Sequence, residues 1–152
     1  MNTESQLEKN AKELHGVLVQ LVRIYQFRDR NKIQVRYHRL SISQYYIIAM
    51  IVENGPLGIM DLTKKLYLDK STVSRVVDLL IKKGYITKEA SQADGRAICL
   101  NVTDNGRIVH QKIDTIGTED MKKMLENVDP KTCRATIKII SDLVKKATKQ
   151  YL

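Results

Sequence analysis

The stretch Leu68-Asp69-Lys70-Ser71-Thr72-Val73-Ser74-Arg75-Val76-Val77-Asp78-Leu79-Leu80-Ile81-Lys82-Lys83-Gly84 decides the fold. Val73, Val76, Val77, Leu80 and Ile81 recur at helical spacing and make one apolar face. Asp69 stands where an N-cap is needed, and Gly84 stands where the helix must stop, so the helix runs to about Lys83. The opposite face carries Ser71, Arg75, Asp78 and Lys82, with Thr72 and Ser74 at its flanks. A helix that merely faces water tends to carry Glu–Lys pairs, and Glu is absent from 69–83.

Upstream, Ser41-Ile42-Ser43-Gln44 fits a capping box leading into Tyr45–Glu53, and Asn54-Gly55-Pro56 ends that helix. A short helix follows with Ile59, Leu62 and Leu66 on one face, then an interruption at Tyr67-Leu68. Downstream of Gly84 the period changes from 3.6 to 2. Ile98, Leu100 and Val102 alternate with Cys99, Asn101 and Thr103, which predicts a strand with one buried face. Tyr85–Glu89 is its expected antiparallel partner, and Ala90–Gly95 the hairpin loop. Thr103 can cap a helix containing Arg107, Ile108, Ile113 and Ile116, with a break expected near Gly117.

The ends differ from this unit. Leu7, Ala11, Leu14, Leu18, Leu21 and Tyr25 form a heptad stripe, and so do Cys133, Ile137, Ile140, Val144, Ala147 and Tyr151 behind an Asp129-Pro130 start. Each stripe needs a cover, supplied either by the other stripe or by a second copy in a two-fold dimer. The expected class is mainly α with a small β-hairpin wing: a winged helix-turn-helix over 40–103, flanked by helices at 1–38 and 104–152, all in one domain spanning 1–152.

Composition narrows the partners. The 152 residues carry a net charge of +9, which favours a polyanion. Residues 1–39 hold +4, 40–103 hold +2 and 104–152 hold +3. The densest basic stretch is Arg23 to Arg39, read either as a solvated helix end and loop or as a phosphate-facing shoulder. The first twelve residues lack an apolar run, and the longest such run, Tyr45 to Val52, is too short to span a membrane. A cytoplasmic protein without membrane partners is expected. Cys99 and Cys133 make neither a disulfide framework nor a four-cysteine zinc site.

The reading stretch resembles the recognition-helix segment of the MarR family of transcriptional regulators, as does Leu80-Ile81-Lys82-Lys83-Gly84-Tyr85-Ile86. Leu40-Ser41-Ile42-Ser43-Gln44 is similar to the family's LTxxQ opening, Asp94-Gly95-Arg96 to its DxR wing tip, and Leu100 to Gly106 to LxLTxxG. The resemblance implies that Lys70, Ser71, Thr72, Ser74 and Arg75 face the major groove of duplex DNA. It places Arg96 in the adjacent minor groove with Asp94 orienting it. It further implies a homodimer, with 1–38 and 104–152 as the dimerisation helices, a repressor, and a small phenolic or lipophilic effector. Tyr67 and Thr63 depart from the family pattern, which often has Gly and Ala there, and 28–39 is longer and more basic than that pattern.

Other features read more plainly. Cys99 and Cys133 are expected as small packing residues, and oxidant sensing through an early cysteine is not expected, because none precedes position 99. His15, His38 and His110 are scattered, and only His110 with Asp114 has ligand spacing, so no metal or other cofactor is expected. Tyr25, Tyr45 and Tyr46 are read as core filling in preference to a ligand pocket. No glycine-rich phosphate loop or recognisable catalytic group is present, so an enzyme is not expected. A basic winged module that binds an acidic protein partner stays open as the alternative to a DNA reader.

Overall fold

The structure, a computed structural model, describes residues 3–36, 40–90 and 98–151. Its elements are α1 (Thr3–Arg36), α2 (Ile42–Asn54), α3 (Ile59–Leu66), α4 (Lys70–Lys82), β1 (Ile86–Ala90), β2 (Ile98–Val102), α5 (Asp104–Leu125) and α6 (Pro130–Tyr151). Two compact units result, Met1–Ile42 and Ser43–Leu152.

The first unit is essentially α1, a single helix of 34 residues. The basic 28–39 stretch is therefore helical as far as Arg36, not a long loop. No Gly or Pro falls between positions 17 and 36, so neither breaks α1 once it has started. Residues 37–39, and the side chains of 25–36 including Tyr25, lie outside the described ones.

In the second unit, three short helices and a hairpin share one core. Ile47, Ile48 and Ile51 of α2, Leu62 of α3, and Val73, Val77 and Leu80 of α4 are buried, together with Ile86 and Leu100. Val76 and Ile81, expected beside them, are half-buried at the edges of the α4 face. Gln44 is buried and is held by the end of α4, since Lys83 Nζ donates to its Oε1 at 3.1 Å. Thr63 spends its hydroxyl on the Ile59 carbonyl at 2.9 Å, so it fits where Ala is common.

The hairpin pairs antiparallel in the register Ile86↔Val102, Thr87↔Asn101, Lys88↔Leu100, Glu89↔Cys99, Ala90↔Ile98. It sits one residue later than expected. Tyr85 is taken by the helix end: its N–H donates to the Leu80 carbonyl at 3.0 Å while that of Gly84 donates to Ile81 at 2.9 Å. Gly84 turns at φ 71, the left-handed conformation that this closure of α4 requires. Ala90 in turn belongs to β1 rather than to the loop. The strand has a buried face at Leu100 and Val102 only; Ile98 is 63% exposed, because the far end of β2 runs beyond the core. Leu57 adds an isolated bridge to Leu100, with N···O distances of 3.3 and 2.9 Å, that the sequence did not signal.

Thr103 joins the hairpin to α5. Its Oγ1 accepts from the Gly106 N–H at 3.1 Å and donates to the Gly84 carbonyl at 2.7 Å. Helix α5 continues through Gly117 without the expected break. One glycine weakens a helix by about 1 kcal/mol, too little to interrupt 22 residues already started and capped. Helix α6 opens on Asp129 as expected, its Oδ2 accepting from Thr132 N at 2.8 Å and Thr132 Oγ1 at 2.9 Å.

Candidate nucleic-acid interface

Two helix ends set up the reading helix. Helix α3 starts at Gly58, whose N–H donates to Asp61 Oδ2 at 3.0 Å, and ends at Tyr67. Tyr67 takes φ 53, ψ 37, a left-handed conformation that turns the chain sharply into α4. This is where the family pattern often has Gly. A side chain there costs about 1–2 kcal/mol, and Tyr67 is 60% exposed, so packing returns little. Tyr67→Gly is therefore expected to raise the melting temperature by about 2–4 °C, a net gain of about 1 kcal/mol after the extra chain entropy of glycine. Calorimetry at fixed protein concentration checks this, and a fall would show that the ring packs usefully.

Asp69 then caps α4. Its Oδ1 accepts from the Thr72 N–H at 2.8 Å and from Ser71 Oγ at 2.6 Å, and its Oδ2 accepts from Thr72 Oγ1 at 2.6 Å. The Ser71 hydroxyl, then Thr72, holds the Asp69 carboxyl far below the usual carboxylate range. A carboxylate whose pKa is lowered by folding contributes stability above its ordinary value of 3.8, and that contribution is lost as pH falls through the lowered value. The stability difference between the wild type and Asp69→Asn should accordingly shrink as pH drops below about 3.8 in acid unfolding followed by circular dichroism. A constant difference would mean that the charge of Asp69 does nothing for the fold.

Beyond the cap, the outer face is displayed as expected. Lys70, Ser71 and Arg75 are exposed, and Thr72 and Ser74 are half-buried. Arg75 lies back along the first turn, Nε donating to the Ser71 carbonyl at 3.3 Å and Nη2 to Thr72 Oγ1 at 3.5 Å. Both bonds are long and weak, so the guanidinium can exchange them for a better acceptor. Asp78 on the same helix is paired with Lys88 of β1 at 3.1 Å. Sequence reasoning put Asp78 on the outer face but missed this partner, since only the hairpin register brings Lys88 near. It also saw Asp69 as a cap without its hold on both hydroxyls. Asp94 and Arg96 lie outside the described residues.

Elsewhere in the unit, the ring of His110 stacks on Tyr45 with centroids 5.9 Å apart and planes at 14°, and Tyr45 lies 5.8 Å from Tyr46. His38 lies outside the described residues. Tyr46 is 51% exposed, so it does not fill the core; among the described residues, Tyr85 is the buried tyrosine. Cys99 and Cys133 are free and half-buried. Among the described residues, no helix is long and apolar enough to cross a membrane.

The family model described as MarR family matches residues 40–97, the segment that holds this helix, its partners and the hairpin. That segment is similar to the MarR family, and the fold is a winged helix-turn-helix. The chain is 28% identical over 118 residues to the uncharacterized HTH-type transcriptional regulator YpoP of Bacillus subtilis, covering 77% of this chain and 84% of that one. Its fold is similar to that of FabT of Streptococcus pneumoniae, solved in complex with DNA, with a TM-score of 0.79, 18% identity, and 92% and 99% of the two chains covered. A MarR family protein from Bacillus stearothermophilus gives a TM-score of 0.80 at 18% identity, over 97% and 99% of the chains. At those identities the solved structures show the fold alone.

Proposed function

We propose that this chain is a MarR-family transcriptional regulator that binds double-stranded DNA sequence-specifically as a homodimer on a pseudo-palindromic operator, and that it acts as a repressor released by a small phenolic or lipophilic ligand. The observation that carries the reading is the outer face of α4: Lys70, Ser71 and Arg75 are exposed at the Asp69-capped start of the helix. Residues Lys64 to Arg75 hold +3, more than the +2 of the whole 40–103 unit, so positive charge is concentrated at the end that would meet phosphate. In this reading Lys70, Ser71, Thr72, Ser74 and Arg75 enter the major groove, and Arg96, oriented by Asp94, enters the minor groove.

Uncovered apolar stripes support the dimer. Ile137, Ile140 and Val144 of α6 are 58%, 42% and 59% exposed, and Leu7, Leu14 and Leu21 of α1 are exposed as well. Such stripes are stable in water only when covered. The His110–Tyr45–Tyr46 group supplies aromatic faces of the kind a phenolic ligand would use.

Gel retardation with genomic fragments tests the reading. A few fragments should shift at concentrations where most do not. Equal retardation of all fragments would overturn sequence-specific reading, and no retardation would favour a basic module for an acidic protein partner.

A further inference from the structure

We infer that Asp69 fixes the hydrogen-bond polarity of the reading helix, so that Ser71 meets the major groove as an acceptor and recognises an exocyclic amino group, adenine N6 or cytosine N4. The inference rests on the DNA-reading function proposed above. Asp69 receives Ser71 Oγ and Thr72 Oγ1 at 2.6 Å each, on different carboxylate oxygens, while also capping the Thr72 N–H at 2.8 Å. An ionised carboxylate has no proton to give, so in both short contacts the hydroxyl must be the donor. Each hydroxyl has one hydrogen, and both are committed.

What remains outward is lone pairs. Thr72 is half-buried, and its Oγ1 lies 3.5 Å from Arg75 Nη2, which leaves Ser71 as the exposed oxygen. Donation to a carboxylate makes that oxygen a better acceptor, because hydrogen bonds in a chain polarise one another. In the major groove, guanine N7 and O6 and thymine O4 are acceptors and cannot pair with it; the amino groups of adenine and cytosine can. A serine read in isolation would serve either kind of edge. Here the residue two positions earlier removes the choice. Arg75, which only donates, reads the complementary set, so the two side chains divide the groove's donors and acceptors between them.

Selection of bound duplexes from a random pool, run in parallel with the wild type and Ser71→Ala, locates the base pair that Ser71 reads. Duplexes are then made with purine replacing that adenine, or pyrimidin-2-one replacing that cytosine, which deletes the amino group. Others carry the 7-deaza purine, which deletes N7. The wild type should lose about 2- to 10-fold in affinity on deletion of the amino group, and Ser71→Ala should be indifferent to it. Asp69→Asn keeps a capping oxygen but can donate to the hydroxyls, so it should weaken the amino dependence while the helix stays folded. Coupling of Ser71 to N7 instead, or no position altered by Ser71→Ala, would overturn the inference and leave the DNA-reading function standing. A wild-type pool without any enriched sequence would overturn both.

Discussion

Gly106→Ala is expected to cost about 3 kcal/mol and to lower the melting temperature by roughly 6–12 °C. A Cβ at Gly106 would overlap the Tyr85 carbonyl oxygen and lie 2.6 Å from Val102 Cγ2. Neither neighbour can yield easily. The Tyr85 carbonyl accepts from the Thr103 N–H at 3.0 Å, and the Tyr85 amide closes α4. Val102 is buried and paired with Ile86. The same residue sits where Thr103 caps α5, so three elements would have to shift together. Gly117→Ala is the internal control, since a Cβ there meets nothing within 4 Å. In the middle of α5 it should stabilise by about 0.5–1 kcal/mol. Thermal unfolding of both variants at one protein concentration checks the pair. Equal effects would mean that the wing root is not packed as described.

The largest expected effect on binding comes from salt. A dimer that neutralises roughly 6–10 phosphates should lose about 10³- to 10⁵-fold in affinity between 50 and 200 mM salt, because each contact releases condensed counterions. The charge that would do this is in the last turn of α3 and the first turns of α4, where Lys64, Lys65, Lys70 and Arg75 are offset only by Asp69 in the same stretch. Lys64, Lys65, Lys70 and Arg75 are all exposed. Asp78 and Lys88, which pair with each other, should contribute little to the slope. Fluorescence anisotropy with a labelled duplex at four salt concentrations measures it. A flat response would show that phosphate contacts do not hold the complex.

Much of this architecture is legible in the sequence alone, and the legible parts are local. Asp69, Gly84, Thr103 and Asp129 mark helix ends because a cap acts on amides and carbonyls within a few residues of itself. The period of Val73, Val77 and Leu80 gave the buried face of α4, since that face follows from helix geometry.

What escaped was decided at a distance. The Leu57–Leu100 bridge involves one residue with no strand period around it. Ile98 obeys the alternation yet is exposed, because the period gives the face of a strand and not how far the core extends beneath it. The helix through Gly117 persists because its neighbours carry it, whereas local reasoning weighed the glycine alone. In the candidate site, the residue types on the outer face of α4 were readable. The hold of Asp69 on the two hydroxyls was not, because it depends on side-chain rotamers.

The central claim is that the outer face of α4 reads sequence. Its most direct test compares the affinity of the wild type and Arg75→Ala for the selected operator and for random duplex at one salt concentration. The wild type should prefer the operator by about 10³-fold or more. Arg75→Ala should lose about 5- to 150-fold on the operator, corresponding to about 1–3 kcal/mol, and much less on random DNA, so the preference narrows. Equal losses on both, or a preference that survives untouched, would contradict the claim.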